Sequence, residues 1–213
     1  MQTDIDRLKE YLPQLNPNIL RKLRTYHDEM MQFNAKVNLV SAGVALTIGR
    51  QFFADAVLGV ECLNVQQKLK NEVYDLGGGS VGFPGIALAI LFPSIKVNFI
   101  EKDSRKQEFL KHAIQILELG NCTAVTKQVE HLPKESVETA LIRTSSPIYN
   151  TLIQMGPILR QNGSIFHFKA DNWSSEVAAC PTQIFTKWDI SAIGSYTLPD
   201  STIQRVIVET HRK

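Results

Sequence analysis

A glycine-rich turn between an apolar strand and an apolar helix is the feature that most constrains the fold of this chain. The turn covers residues 77–85, follows a short predicted strand at 73–76, and leads into a helix at 86–92 that is apolar on every face. Glycines let the backbone bend sharply and come close to a ligand, and Pro84 suits the first turn of a helix. This order is typical of a helix that a sheet covers.

Strands and helices continue to alternate after this turn. The pattern predicts further strands at 97–101, 123–127, 139–142 and 164–168. Two last strands, near 184–190 and 203–208, have no helical segment between them, so they are predicted to form an antiparallel hairpin. Alternating β and α segments indicate an α/β fold with a mostly parallel sheet. In such sheets ligands bind beyond the carboxyl ends of the strands.

The helix after the second strand has recognisable ends in the sequence. Ser104 and Gln107 form a capping-box pattern, which predicts the start of the helix. Gly120 and Asn121 predict its end, because these residues favour the left-handed backbone that closes many helices.

Residues 1–70 have a helical pattern instead. Asn16 followed by Pro17 predicts a capped helix start. One face of this helix carries apolar residues at Ile19, Leu20, Leu23, Tyr26, Met30 and Phe33. A second helix is expected after Gly43. We therefore expect an N-terminal helical extension over 1–70 and a sheet domain over 71–213.

Composition excludes several classes of protein. Of the 213 residues, 44% are apolar and 21% are charged, as in soluble globular proteins. The longest apolar run is far shorter than the ~20 residues that a membrane helix needs, and the acidic N-terminal residues are unlike a signal peptide. A net charge of +2 means that any nucleic-acid contact must come from a local patch. We expect a cytoplasmic protein without a membrane partner.

Cysteines and histidines give no sign of a disulfide framework or a metal site. Cys62, Cys122 and Cys180 are far apart and odd in number. No two of the five histidines are three or four residues apart, so a helical zinc motif is absent. We expect three reduced thiols and no metal.

The predicted second strand ends in an acid, Glu101. A carboxylate there can accept hydrogen bonds from both ribose hydroxyls of an adenosine. Gly77, Gly79 and Gly82 also satisfy G-x-G-x-x-G, with Glu101 19 residues after Gly82. That spacing leaves a nicotinamide-dependent dehydrogenase open. Asp75, which can anchor loop amides or a ligand ammonium, and the C-terminal hairpin favour a methyltransferase that uses S-adenosylmethionine (AdoMet).

The same segments resemble the GidB/RsmG family, bacterial small-subunit rRNA guanine-N7 methyltransferases, over nearly the whole chain. Residues 34–41, N-A-K-V-N-L-V-S, resemble the family's N-K-x-Y-N-L-T-S segment, and residues 75–86 resemble its D-x-G-x-G-x-G-x-P-G-I pattern. Arg143 and Lys169 match its S-R-A and L-K-G steps. The resemblance implies a Rossmann-like class I methyltransferase sheet, AdoMet as cofactor, 16S rRNA or the small ribosomal subunit as partner, and guanine N7 as acceptor. We expect the protein to act as a monomer.

The resemblance also implies roles for individual residues. The expected cofactor pocket consists of Asp75, Gly77, Gly79, Phe83, Glu101, Val129, Glu130 and Arg143. In it Glu101 holds the ribose, Val129 and Glu130 border the adenine, and Arg143 lies beside the methionine end or the target base, which makes it the catalytic candidate. An arginine after an apolar strand points into a cleft or needs a buried partner. Candidate RNA contacts are Arg50, Lys102, Arg105, Lys106, Lys169 and Arg205.

The chain departs from the family pattern at several polar positions. Its turn is one residue longer, with Ser80 and Val81 in place of a single residue. Gln51 and Phe52 stand where the family has arginine and histidine, and Gln128 stands where it has arginine. These departures leave open a second hypothesis, a relative that binds AdoMet or RNA and no longer catalyses methyl transfer.

Overall fold

The structure of this chain is a computed structural model. It describes residues 8–13, 15–40, 52–77, 81–199 and 201–213. The predicted site residues Arg50 and Gly79, together with Gln51 and Gly43, lie outside these ranges.

The described part of the N-terminal region is helical. It contains α1 (Leu8–Tyr11), α2 (Pro17–Val37) and α3 (Phe53–Val65). The predicted cap of α2 is confirmed, because the side chain of Asn16 accepts a hydrogen bond from the backbone N–H of Ile19 at 2.9 Å. None of the described helices is both long and apolar enough to span a bilayer.

Strands and helices alternate from residue 72 onward. The elements in chain order are β1 (Glu72–Leu76), α4 (Gly85–Leu91), β2 (Lys96–Glu101), α5 (Ser104–Ile116), β3 (Cys122–Thr126), β4 (Val137–Ile142), α6 (Ile148–Met155), β5 (Leu159–Ala170), α7 (Trp173–Ala178), β6 (Trp188–Thr197) and β7 (Gln204–Arg212). Short 3-10 turns lie at Val129–His131, Gly156–Ile158 and Thr182–Thr186.

The seven strands form one sheet in the order β3-β2-β1-β4-β5-β7-β6. The first five strands are parallel to one another, whereas β7 lies antiparallel between β5 and β6. The predicted α/β class and the C-terminal hairpin are thus confirmed. The strand order reverses between β1 and β4, and ligands of α/β sheets bind at the carboxyl side of such a reversal.

The ends of α5 differ from the sequence prediction. Its cap is Asp103, whose carboxylate accepts from the backbone N–H of Arg105 at 2.9 Å, so the predicted Ser104 capping box is wrong. Gln107 is buried instead, and neither polar atom of its side chain has a hydrogen-bond partner within the described ranges. The helix ends at Ile116, and Glu118, with φ +51°, takes the left-handed conformation that we expected near Gly120.

Aromatic rings join the N-terminal helices to the sheet domain. Tyr26 of α2 lies with its ring centroid 5.8 Å from that of Phe53, 5.0 Å from Phe83 and 5.5 Å from Phe109. All four rings are fully buried. Such pairs stabilise a core beyond the area they bury. Because these rings are in contact, the helical extension shares one core with Val81 and Phe83 of the glycine-rich turn.

Candidate functional site

A cleft of about 160 Å³ lies at the carboxyl ends of the central strands. Its walls include the ends of β1, β2 and β4, the turn after β3, and one side of α6. It is lined by Gly77, Ile100, Glu101, Lys102, Lys127, Gln128, Val129, Glu130, Ile142, Thr144, Ser146, Thr151, Gln154 and Met155. Four of the predicted cofactor residues, Gly77, Glu101, Val129 and Glu130, therefore share one cleft although the sequence separates them widely.

Gly77 shapes the floor of this cleft. Its φ is +30°, a backbone conformation that residues with a Cβ rarely adopt. A Cβ at this position would lie 2.8 Å from the backbone oxygen of Ile100 and 3.9 Å from Oε2 of Glu101. The missing side chain thus leaves room beside the Glu101 carboxylate.

Glu101 is held at the rim of the cleft by one of its two carboxylate oxygens. Oε1 accepts from the backbone N–H of Asp103 at 3.0 Å, and the side chain is mostly buried. Oε2 has no hydrogen-bond partner among the residues that the structure describes. Oε1 is therefore fixed by the protein.

Asp75 lies beneath the turn and does not line the cleft. Its Oδ2 accepts from the backbone N–H of Gly85 at 2.7 Å, so of its two expected roles the structure gives it that of anchoring a loop amide. Burial raises the pKa of Asp75 to about 7, with a smaller contribution from the charge of Glu101, while the Gly85 hydrogen bond acts in the opposite direction.

Phe83 lies in the core and not in the cleft, where the sequence placed it as part of the cofactor pocket. Its ring is fully buried, 4.7 Å from that of Phe53 and 5.1 Å from that of Phe52 in centroid distance. It packs in the core because the turn places its side chain on the side of α3. The ring therefore does not line the cleft.

Val81, one of the two residues in the lengthened part of the turn, has an unusual backbone. Its φ is +57°, which is unfavourable for a β-branched residue. Its side chain is buried, and its carbonyl oxygen accepts a hydrogen bond from the hydroxyl of Tyr26. The helical extension thus contacts the backbone of the turn directly.

Arg143 belongs to a polar cluster and, unlike its neighbours Ile142 and Thr144, is not among the residues that line the cleft. Its Nε donates to Oδ2 of Asp55 at 2.8 Å, and its guanidinium carbon lies 4.1 Å from the ring centroid of Phe52. The hydroxyl of Tyr196 donates to Oδ1 of Asp55 at 2.7 Å, and Nε of Arg205 lies 3.6 Å from the same oxygen. Asp55 is almost completely buried, whereas both arginine side chains are about a quarter exposed (22% and 25%).

The other predicted RNA contacts differ in their surroundings. Lys102 is exposed and borders the cleft. Arg105 is exposed and pairs with Asp103 at 2.8 Å, and Lys106 is half-buried in the same helical turn. Lys169 is not the surface cation that we expected, because its side chain is only 4% exposed and its ammonium lies 2.8 Å from the carboxylate of Glu176.

Several residues of the cleft were not predicted from the sequence. Thr144 and Ser146 follow β4, and Lys127 follows β3, so their positions after strand ends were a usable signal. Gln154 lies on α6, and no pattern in the sequence pointed to it. Its side-chain amide donates to Glu130, and this hydrogen bond lowers the pKa of Glu130. Within the described ranges, no group of three His, Cys, Asp or Glu residues could hold a metal ion.

Comparison with known proteins identifies relatives along most of the chain. The family described as GidB, rRNA small subunit methyltransferase G, matches residues 19–194. A ribosomal RNA small subunit methyltransferase G 3 from Bdellovibrio bacteriovorus is 32% identical over 206 residues, which are 97% of this chain and 93% of the relative. A ribosomal RNA small subunit methyltransferase G from Paracoccus denitrificans is 28% identical over 185 residues, 87% of this chain and 93% of the relative.

Solved structures agree in fold. TYW2 from P. horikoshii, in complex with MeSAdo, superposes with a TM-score of 0.52 at 15% identity, covering 72% of this chain and 62% of that chain. The matches decide against the dehydrogenase that the glycine spacing had left open. With its strand order, its cleft beside Gly77 and Glu101, and the family match over residues 19–194, this chain belongs to the GidB family of rRNA small subunit methyltransferases.

Proposed function

We propose that this protein transfers the methyl group of AdoMet to N7 of a guanine in 16S rRNA. Membership of the family supports the reaction and the class of substrate. The observation that carries the cofactor assignment is the space beside Gly77, where a Cβ would approach both Ile100 and the Glu101 carboxylate. A small-subunit rRNA substrate supports a cytoplasmic location.

The residues of the cleft fit an adenosyl ligand. Oε2 of Glu101, to which no described residue donates a hydrogen bond, suits the hydroxyls of a ribose. Val129 and Glu130, at the other side of the cleft, suit the adenine, and Gly77 allows the backbone to approach the ligand. When bound, AdoMet supplies a methyl group attached to a positively charged sulfur. The sulfur departs as a neutral thioether, which is a good leaving group.

The reaction asks little acid–base chemistry of the protein. Guanine N7 has a free lone pair and carries no proton, so its attack on the methyl group needs no general base. The task of the chain is to align acceptor and donor, and alignment alone can supply much of a rate enhancement. We assign Arg143 to this task, because Asp55 and Phe52 fix its guanidinium at the end of β4, where its neighbours Ile142 and Thr144 line the cleft.

Basic side chains near the cleft, two of them exposed and two partly buried, are proposed to contact RNA phosphates. Lys102, Arg105, Lys106 and Arg205 lie near this edge of the sheet, and phosphate contacts position a nucleic acid without reading its sequence. Arg50 stays a candidate outside the described residues.

A direct test is mass spectrometry of 16S rRNA from cells with and without the gene, combined with methyl transfer by the purified protein. The expected result is a 7-methylguanine that disappears with the gene and returns with the protein. AdoMet and RNA binding without transfer would contradict the proposal and support the binding-only relative that Phe52 and Gln128 suggest. Absence of AdoMet binding at millimolar ligand would overturn the cofactor assignment.

A further inference from the structure

Lys169 and Glu176 form an ion pair beneath one wall of the cleft. Lys169 lies near the carboxyl end of β5, and Glu176 lies on α7. The ammonium nitrogen is 2.8 Å from Oε2 of Glu176, and the two side chains are 4% and 19% exposed. Burial of a lysine at this level is costly unless its charge is paired and hydrogen-bonded.

Both members of the pair also bind the backbone between β4 and α6. The ammonium of Lys169 donates to the carbonyl oxygen of Ser146 at 2.6 Å. Oε2 of Glu176 accepts from the backbone N–H of Ile148 at 3.0 Å. Two charged groups that bind each other therefore hold the segment at two points, on either side of Pro147.

This backbone segment forms part of the cleft. Thr144 and Ser146 line it, and α6, which begins at Ile148, contributes further lining residues. The N-terminus of α6 has no cap from its own preceding residue, Pro147. Glu176 supplies the acceptor instead, and a carboxylate at a helix N-terminus is favourable. The pair thus links α7 and β5 to the wall that faces Gly77 and Glu101.

We propose that Lys169 and Glu176 are positioning residues, which hold residues 144–148 so that the cleft accepts AdoMet. Lys169 acts through Ser146 and does not contact RNA. Removal of the ammonium leaves the carbonyl of Ser146 without its donor and allows the wall to move. The ligand named here rests on the proposed function, whereas the restraint on the segment does not.

The first test compares wild type with Lys169→Met, which keeps the length of the side chain and removes its charge. We expect amide hydrogen exchange at residues 144–148 to accelerate, and AdoMet binding by calorimetry to weaken about tenfold, since one hydrogen bond to a charged group is lost. The salt dependence of RNA binding should not change. Lys134→Met, at an exposed position, is the matched control.

A double variant separates positioning from general stability. Lys169→Met leaves Glu176 without a counter-charge, and Lys169→Met with Glu176→Gln removes both charges. We expect the double variant to regain melting temperature while AdoMet binding stays weak, because Ser146 still lacks its donor. Recovery of AdoMet affinity together with stability would contradict the proposal. Glu176→Gln alone, which keeps an oxygen for Ile148, serves if Lys169→Met does not fold, and several-fold weaker AdoMet binding is then expected.

Other outcomes are equally decisive. Unchanged AdoMet affinity with a salt slope of RNA binding lower by about one would make Lys169 an RNA contact and overturn the inference. Unchanged exchange at residues 144–148 would overturn it as well. Faster exchange in the variant, with no AdoMet binding by the wild type, would support the restraint on the segment and contradict the proposed function.

Discussion

Nε of Arg143 donates to Oδ2 of Asp55 across 2.8 Å, so a helix of the N-terminal region holds the arginine that follows β4. Tyr196 of β6 donates to the other oxygen of the same carboxylate. One buried aspartate therefore connects three parts of the chain that are distant in sequence. Asp55 also raises the pKa of Tyr196, whose burial acts in the same direction and more strongly.

Asp55→Asn should destabilise the fold and impair methyl transfer. The amide keeps the size of the side chain but leaves the guanidinium of Arg143 without its counter-charge. Loss of one partner of a buried ion pair costs about 3 kcal/mol. Urea unfolding measures the loss, with Asp171→Asn at an exposed position as the control. Equal unfolding midpoints for Asp55→Asn and wild type would contradict the role of Asp55.

Gly77→Ala should weaken AdoMet binding by at least about tenfold, since the new methyl group must displace either the Ile100 carbonyl or the ligand. Its Cβ would lie 2.8 Å from the Ile100 oxygen, at a backbone with φ +30°. Gly120→Ala is a matched control, because a Cβ at Gly120 meets nothing within 4 Å. Calorimetry with AdoMet distinguishes the two. Similar affinities in both variants would remove Gly77 from the cofactor site.

Asp75→Asn should change how stability depends on pH. Burial raises the pKa of Asp75 in the folded protein from 3.8 to about 7. Between these values the folded state keeps a proton that the unfolded state has released. The free energy of unfolding of the wild type should therefore fall, relative to Asp75→Asn, by about 1.4 kcal/mol per pH unit from pH 4 to 7. The difference should be constant above pH 7. Denaturant titrations at each pH measure this difference. Parallel profiles of unfolding free energy against pH for the wild type and Asp75→Asn would refute the prediction.

His167→Gln should change the pH dependence of the free energy of unfolding in the opposite direction to Asp75→Asn. Burial lowers the pKa of His167 to about 3, and its Nε2 lies 3.0 Å from the hydroxyl of Thr210. Between pH 6.5 and 3 the unfolded state binds a proton that the folded state rejects. Acidification should thus destabilise the wild type relative to His167→Gln by about 1.4 kcal/mol per pH unit. His131→Gln, at an exposed position, is the control. If His167→Gln and His131→Gln showed the same pH dependence of the free energy of unfolding, the assignment of this effect to His167 would be wrong.

Asp75 and His167 contribute to the pH dependence of the free energy of unfolding with opposite signs between about pH 4 and 6.5. In the wild type these two contributions largely cancel over this range. Each single variant, compared with the wild type, therefore reveals the contribution of the residue that it replaces.

Features that depend on neighbouring residues were predictable from the sequence. The Asn16 cap, the order of strands and helices, and the C-terminal hairpin all follow from local patterns. The gathering of Gly77 and Glu101 in one cleft follows from the rule that parallel strands end at the same edge. The division of the chain near residue 70 and the monomeric state stay predictions.

Features that depend on contacts between distant residues were not predictable. Asp103 and Ser104 are both good caps, and only the backbone geometry selects Asp103. The burial of Lys169 depends on Glu176, which had no motif to mark it. Phe83 joined the core because α3 and α2 supply aromatic partners, and the sequence pattern of the turn carries no information about them.

The hydrogen bond from Tyr26 to the carbonyl of Val81 has a practical consequence for anyone who shortens this protein. A fragment that starts at β1 would contain every strand, yet the bend after β1 would lose the phenol group that caps its added residue. Such a fragment would be a poor substitute for the 213-residue chain in ligand screening, since the turn beside the cleft would lack this support from outside the sheet.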